Sequence, residues 1–521
     1  MTSDFIVVGS GSAGAVLASR LSEDPSARVL LLEAGSGKIP RESIVPAAFS
    51  KLFKTPFDWN YSTAPEPGLE RRSLYWPRGR LLGGSSAMNA MIWTPPDRAD
   101  LDQWTALGNQ GWSFEDLRSS LARSERPGEA ARARGEVGID VNPLRTVNPI
   151  TESLIAAART AGIPPNDGFR DGSMAGTGTF RVTQRRGRRV STADGYLAPV
   201  RDRSNLTVVP LARVHRVLFS GRRATGVEYR TPDSSGPVRA FGPVVLAAGA
   251  IGSPQLLLLS GVGPARELAT LGIEVVADLP GVGKNLQDHL ACGAIYSSAR
   301  PVTLAGAQTV ANFLRYLAFG RGPLTSNVAE AGAFVRLGPG AGPPDVELIF
   351  APSFFVDHGF GNPEGHGFTV AAILLHPESR GTITLSSADP AAPPIIQANY
   401  LATELDRTLI RQGLELARSI AGRAEVAAFR DNELLPGPEP DLDHFIRSHA
   451  ETLYHPVGTC RMGPDGGSVV TDRLTVHGLE DLWVVDGSVM PQITSGHTHA
   501  PIVMIAERAA DILARGTGGG R

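Results

Sequence analysis

Four apolar residues, Phe5-Ile-Val-Val8, run straight into Gly9-Ser-Gly11-Ser12-Ala13-Gly14. A run this short and this apolar suits a strand buried on both faces. A helix is expected over residues 13–21, and Val29-Leu-Leu-Leu32 reads as a second buried strand that ends on Glu33. This is the dinucleotide-binding fingerprint in its full strand–turn–helix–strand context. Gly9 permits the tight turn, Gly11 lets backbone approach a pyrophosphate, and Gly14 allows close helix–strand packing. The helix N-terminus offers free amides and a partial positive charge to phosphates. Glu33 lies nineteen residues beyond Gly14, where an acid receives ribose hydroxyls and disfavours a 2′-phosphate.

At 521 residues the chain exceeds one ordinary core, so two or more substructures are expected. A net charge of −2 argues against general affinity for nucleic acid or an anionic membrane. The local exception is Arg181, Arg185, Arg186, Arg188 and Arg189, read as a solvated loop. Cys292 and Cys460 are the only cysteines, which excludes a disulfide framework. No basic segment precedes the first apolar run, so it does not read as a signal peptide. Val244–Ser260 is the most apolar stretch, but Gly249, Gly252 and Pro254 interrupt it as a membrane span. A cytoplasmic protein is the expectation, with peripheral membrane contact left open. The tail 516–521 is expected to be disordered.

A second glycine signal is Gly83-Gly84-Ser85-Ser86-Ala-Met88-Asn89-Ala90-Met91, preceded by Arg78 and Arg80. Paired glycines followed by small hydroxyl residues let backbone lie against a flat or charged ligand, and the arginines suit a pyrophosphate. Val244–Pro254 reads as a strand ending in a tight turn. Leu482-Trp-Val-Val485 is another strand, ending beside Asp486 and Gly487. Ligands in such sheets bind at the carboxyl ends of strands. These late returns imply a nucleotide domain assembled from both ends of the chain, with a separate lobe between.

With these segments, the stretch Tyr454-His455-Pro-Val-Gly-Thr-Cys-Arg-Met462-Gly463 and the stretch Gly496-His497-Thr-His499-Ala500-Pro501, the chain resembles the glucose–methanol–choline (GMC) oxidoreductases over nearly its whole length. The resemblance implies an α/β fold, α+β overall: a doubly wound FAD-binding domain and a substrate domain built on an antiparallel sheet. The expected FAD domain takes residues 1–155, 190–298 and 452–521, and the substrate domain takes 156–189 and 299–451. The implied FAD contacts are Gly9, Gly11, Ser12, Ala13, Gly14, Glu33, Arg80, Gly83, Gly84, Asn89, Ala90, Met91, Val214, Asp486, Gly487, His499, Ala500 and Pro501. Some members attach FAD through a histidine in the glycine-pair motif. Met88 holds that position here, and a thioether offers no such nucleophile, so FAD is expected to bind without a covalent bond.

Alcohol oxidation needs a base for the hydroxyl proton and an electrophile for the hydride, and flavin N5 supplies the second. Histidine is the usual base, because its pKa is poised near neutrality. Pro501 suits the first turn of a helix running to about Leu513, capped by Thr498 or His499. The resemblance makes His455 the general base and His497 the partner that hydrogen-bonds the substrate oxygen, with His499 beside the flavin. No Cys or carboxylate cluster supports a metal at His497 and His499, so none is expected.

The inserted lobe carries Glu330, Phe350 and Phe354, read as substrate contacts in an apolar cavity, with ordinary core packing an equal reading of each Phe. These segments look most like bacterial primary-alcohol dehydrogenases, so an aliphatic or arylmethyl alcohol is the expected substrate. Choline is the alternative, with Glu330 as ammonium anchor, although a buried structural carboxylate is an equal reading of that residue. A non-redox lyase on the same fold would use the same histidine pair. Oxygen and a quinone both stand as electron acceptors, and the oligomeric state is open.

Overall fold

The computed structural model describes residues 2–126, 128–361, 363–438 and 440–517. Two sheets organise it. The first has five parallel strands in the order Leu206–Val209, Val29–Leu32, Phe5–Val8, Val244–Leu246, Leu482–Val484. The three inner strands are apolar and wholly buried, as burial on both faces requires. Segments from both ends of the chain therefore close one sheet. The first helix, Gly14–Leu21, packs against the C-terminal helix, His499–Thr517. That helix takes in the first two residues of the tail expected to be disordered, and residues 518–521 lie outside the described residues.

Val244–Pro254 does not stop in a turn. It continues as the helix Gly249–Leu259 with Pro254 inside. Pro254 has no N–H to give to the Ala250 carbonyl. The Thr459 hydroxyl donates to that carbonyl instead, at 2.6 Å.

The second sheet is antiparallel, in the order Arg430–Leu435, Leu290–Ser298, Gly367–Leu374, Val346–Ala351, Ala331–Val335, Gly176–Thr179. Leu290–Ser298 belongs to this sheet, so the boundary expected at residue 298 moves ahead of Leu290. Helix Pro149–Thr160 packs on the same sheet, and the boundary expected at residue 155 falls inside it.

Side chains alternate across this sheet with the period of two that a strand imposes. Leu290, Cys292, Ala294, Leu348, Phe350, Phe368 and Val370 face one way, into a core shared with helix Glu404–Ala421. Ala291, Gly293, Ile295, Ile349, Ala351, Thr369 and Ala371 face the other way and line a cavity. The parity of three strands thus decides which residues can meet a substrate.

The arginine-rich stretch is not a solvated loop. Gln184–Arg185 pairs with Arg188–Arg189 as a hairpin that turns at Arg186 (φ 52°) and Gly187 (φ 75°). Arg186 and Arg188 are exposed, whereas Arg189 is buried. Among the described residues no helix is long and apolar enough to cross a membrane.

Candidate active site

A crevice opens at the carboxyl ends of the parallel strands. Gly9, Gly11, Ser12, Ala13, Glu33, Gly84, Val214, Asp486 and Gly487 line it. It continues into the cavity over the antiparallel sheet, because Ser12, Arg78, Ser85, Thr498 and Ile502 line both. The cavity holds about 360 Å³ and the crevice about 190 Å³.

The crevice is shaped for close approach. Gly9 sits at φ 97°, and a Cβ there would lie 2.6 Å from the Ala247 carbonyl oxygen. A Cβ on Gly84 would lie 2.7 Å from the Gly11 Cα, so the two glycine motifs face each other with no room for a side chain. Glu33 accepts from the Ser10 amide and hydroxyl and from the Gly35 amide, which fixes its carboxylate at the end of its strand. Asp486 does the same across two strands, accepting from the amides of Gly249 and Ser488 and the Ser253 hydroxyl. Burial pushes both carboxyls above the usual range.

Not every expected contact reaches this space. Gly14 is sealed behind Gly9, whose carbonyl oxygen would lie 1.8 Å from a Cβ on Gly14, so its part is helix–strand packing. Gly83 supplies a left-handed turn (φ 88°) and donates its amide to the Ser10 carbonyl. Arg80 is turned onto the Trp59 ring, 5.0 Å from its centroid, and Arg78 takes the place at the wall. Ala500 and Pro501 lie in the first helical turn, while Thr498, His499 and Ile502 share the face that lines the site.

Asn89, Ala90 and Met91 line the cavity, and Met88 joins them there, packed with Phe49, Phe53 and Tyr75. Buried Arg189 holds this segment. It donates to the carbonyls of Ser43, Ser86 and Asn89 and to Asn89 Oδ1, at 2.7–3.2 Å. Burial brings its guanidinium down to about 9. Sequence reasoning missed this role, because one arginine among five gives no sign of which is turned inward.

Three histidines converge at the inner end of the cavity. The rings of His455 and His497 are 5.1 Å apart, nearly perpendicular. His289, which the sequence reading did not single out, lies behind His455, Nδ1 to Nδ1 at 2.9 Å, with its own Nε2 2.9 Å from the Leu375 carbonyl. The His455 backbone N–H donates to Asp288 Oδ1 at 2.7 Å, and Asp288 also accepts from Thr452 and Tyr400. Burial holds the imidazoles of His289 and His455 well below their ordinary pKa, and that of His497 at about 3. All three are neutral near pH 7.

Glu347 is the second group the sequence reading missed. It is fully buried, neither carboxyl oxygen has a hydrogen-bond partner, and Oε1 lies 3.8 Å from His497 Nδ1. Burial, with no charged or hydrogen-bonding partner to offset it, pushes its pKa well above the ordinary glutamate value. Glu347 shares with Ile349 and Ala351 the strand face turned to the cavity, opposite to the face that the reading of Phe350 as a substrate contact required. His499 Nδ1 lies 3.0 Å from the Ser12 hydroxyl, and its Nε2 is buried without a partner beside the crevice.

The expected substrate contacts need correction. Glu330 does not line the cavity. It accepts from the Asn148 amide and the hydroxyls of Thr151 and Ser326, tying the start of helix Pro149–Thr160 to a loop. Phe350 lies on the opposite strand face, in the core. The Phe354 ring lies against Gly367, and its neighbour Phe355 lines the cavity.

The unpartnered His499 Nε2 and the facing glycines fit the FAD that the sequence resemblance implies. Gly9–Ala13, Gly84 and Arg78 would hold its phosphates, and Asn89–Met91 with His499 its ring system. Among the described residues no group of three His, Cys, Asp or Glu is arranged to hold a metal ion.

Family models described as GMC oxidoreductase match residues 3–291 and 377–506. An uncharacterized GMC-type oxidoreductase of Mycobacterium tuberculosis is 43% identical, over 98% of this chain and 99% of its own. An alcohol dehydrogenase [acceptor] of Pseudomonas putida is 40% identical, over 98% and 96%. Among solved structures, a pyridoxine 4-oxidase from Mesorbium loti superposes with a TM-score of 0.88 at 35% identity, covering 98% of each chain.

Proposed function

The chain belongs to the GMC oxidoreductase family of FAD-dependent enzymes acting on alcohols, and from that premise we propose that it oxidises a primary alcohol, aliphatic or arylmethyl, to the aldehyde. FAD, when bound, supplies the hydride acceptor at N5. The chain's own residues handle the proton and the oxygen.

The observation that carries this reading is the histidine relay. The Leu375 carbonyl can only accept, so the proton of neutral His289 sits on Nε2. His289 Nδ1 is then an acceptor, and His455 must donate to it from Nδ1. His455 Nε2 is left unprotonated and is the nitrogen that remains for the cavity. It takes the hydroxyl proton as general base, a step worth about 10²–10⁴ in rate. On the other side, the buried Glu347 carboxyl lies 3.8 Å from His497 Nδ1, beyond hydrogen-bond distance but the nearest polar group to that nitrogen. His497, in its Nε2–H tautomer, donates to the substrate oxygen. One neutral imidazole accepts while the other donates, and neither adds a like charge to the pocket.

The cavity wall favours an apolar carbinol. Phe49, Phe53, Met91, Ile349, Phe355 and Val356 contribute to it. Two carboxylates line it, Asp357 and Glu451, of which Glu451 is paired with Arg72, and Glu330 is elsewhere. Anaerobic mixing of the holoenzyme with an alcohol panel tests the proposal. Medium-chain and arylmethyl alcohols should bleach the flavin faster than choline does. Choline as the best reductant would replace the substrate assignment, and a flavin that no alcohol bleaches would favour a lyase. Readmitting air then distinguishes oxygen from a quinone as acceptor.

A further inference from the structure

The helix Val310–Phe319 is ended properly at both termini. The Thr309 hydroxyl accepts from the Asn312 amide at 3.2 Å, and Gly320 closes the helix at φ 56°. Of its ten residues only Tyr316 is buried. Val310, Phe313, Leu314 and Leu317 stand at i, i+3, i+4 and i+7 and so share one face. They are 77%, 51%, 59% and 62% exposed, and Phe319 is 69% exposed. The five most exposed large apolar side chains among the described residues thus all stand on this one helix.

The surroundings are basic. No Asp or Glu occurs between residues 301 and 329, although the whole chain carries a net charge of −2. Arg315 and Arg321 are exposed, and the charge of exposed Arg188 reaches Tyr316. The low net charge argues against membrane affinity of the protein at large, but it does not describe this patch.

We propose that this helix docks the protein on an anionic phospholipid bilayer, lying in the interface with its apolar stripe in the acyl boundary and its arginines among the headgroups. An apolar face rimmed by arginine is the combination such a surface selects. Ten residues are about half of the ~20 needed to span a bilayer, so the helix lies on it. A second copy of the chain fits less well. A single helix face about 15 Å long and ~10 Å wide offers a footprint of roughly 150 Å², far below the ~800 Å² per partner of a stable interface.

The position gives the docking a use. After the helix, Pro323–Thr325 packs against Pro46–Leu52, and Phe49 of that segment lines the cavity, as do Asn327, Val328 and Ala329. Docking therefore sets the cavity beside the lipid phase. This use rests on the alcohol oxidation proposed above, whose substrates, dissolved in the bilayer, would enter from there.

Cosedimentation of the holoenzyme with vesicles tests the docking without turnover, so its failure leaves the proposed reaction standing. Vesicles of phosphatidylcholine and phosphatidylglycerol in equal amounts should carry the protein down, and pure phosphatidylcholine should carry less. Leu314→Ser/Leu317→Ser/Phe319→Ser should lower partitioning about tenfold or more, with flavin content unchanged. Arg315→Glu/Arg321→Glu, which leaves the stripe intact, should lower it on the mixed vesicles alone. Protein that stays in the supernatant, or binding that neither variant weakens, overturns the proposal. A dimer in light scattering that the serine variant dissociates also overturns it, because the stripe would then be a subunit interface.

Discussion

His289 Nδ1 lies 2.9 Å from His455 Nδ1, and the Leu375 carbonyl on the far side of His289 fixes which nitrogen of each ring holds the proton. A backbone carbonyl that cannot donate thus sets the lone pair on His455 Nε2, two rings away. His289 touches no substrate in this arrangement and acts as a positioning residue.

His455→Ala should slow anaerobic flavin reduction by about 10²–10⁴ while FAD stays bound. His497→Asn should be milder than His497→Ala, because an amide still donates to the substrate oxygen. Burial holds the His455 pKa well below its ordinary value, so the proposed base is unprotonated through neutral pH. The wild-type reduction rate should be flat there and should fall only in acid, as Nε2 takes a proton. Stopped-flow reduction across pH checks this. A rate that climbs steeply above neutrality would contradict it.

His289→Ala should lower the reduction rate by about 10- to 100-fold by releasing the His455 tautomer. Its acid limb should also move, which a purely structural change would not cause. His289→Gln keeps an acceptor for the His455 Nδ1–H and should recover part of the loss. Equal rates in both variants and an unmoved limb would remove the positioning role.

Glu347→Gln should keep most activity, since it leaves a polar group of the same shape 3.8 Å from His497 Nδ1, whereas Glu347→Leu should lose about 10- to 100-fold. Stability gives a second readout. The folded pKa of Glu347 is raised above its unfolded value. Its contribution is therefore whole below the ordinary glutamate range and declines as pH rises towards the folded value. Gln cannot ionise, so its Tm relative to wild type should grow as pH rises. Thermal melts at several pH values check this, and a difference independent of pH would count against a buried protonated carboxyl.

Glu330→Gln should leave KM for every alcohol, choline included, within a few-fold. It should lower Tm, because the three donors from Asn148, Thr151 and Ser326 converge on that carboxylate. Steady-state kinetics with choline and a medium-chain alcohol check it. A steep rise of KM for choline alone would restore the ammonium anchor.

Acid precipitation should release all the FAD into the supernatant, because Met88 offers a thioether where a covalent link would need a nucleophile. Flavin absorbance of the pellet is the measurement. Flavin retained there would require another attachment point in the cavity wall.

Much of the fold was legible because its signals are local. The run Phe5–Val8, the glycines that follow it and the run ending at Glu33 state a strand, a turn and a strand by steric and burial rules that act over a few residues. The late strand Leu482–Val484 was legible for the same reason, and with it the return of the chain to the first sheet. The interruption of Val244–Pro254 misled, because the donor that lets Pro254 sit inside a helix comes from Thr459, more than two hundred residues away.

The sequence by itself determined the nucleotide turn, the glycine pair opposite it and the candidate histidines His455 and His497. Only the tertiary structure decided that Phe350 faces a core and Ile349 a cavity, since strand parity follows from which face of the sheet helix Glu404–Ala421 covers. It also decided that Arg189 turns inward and Glu330 serves a helix end. The same holds for His289 behind His455 and Glu347 beside His497. Each of these is a contact between residues far apart in the chain, and a residue's burial and protonation depend on neighbours that only folding supplies.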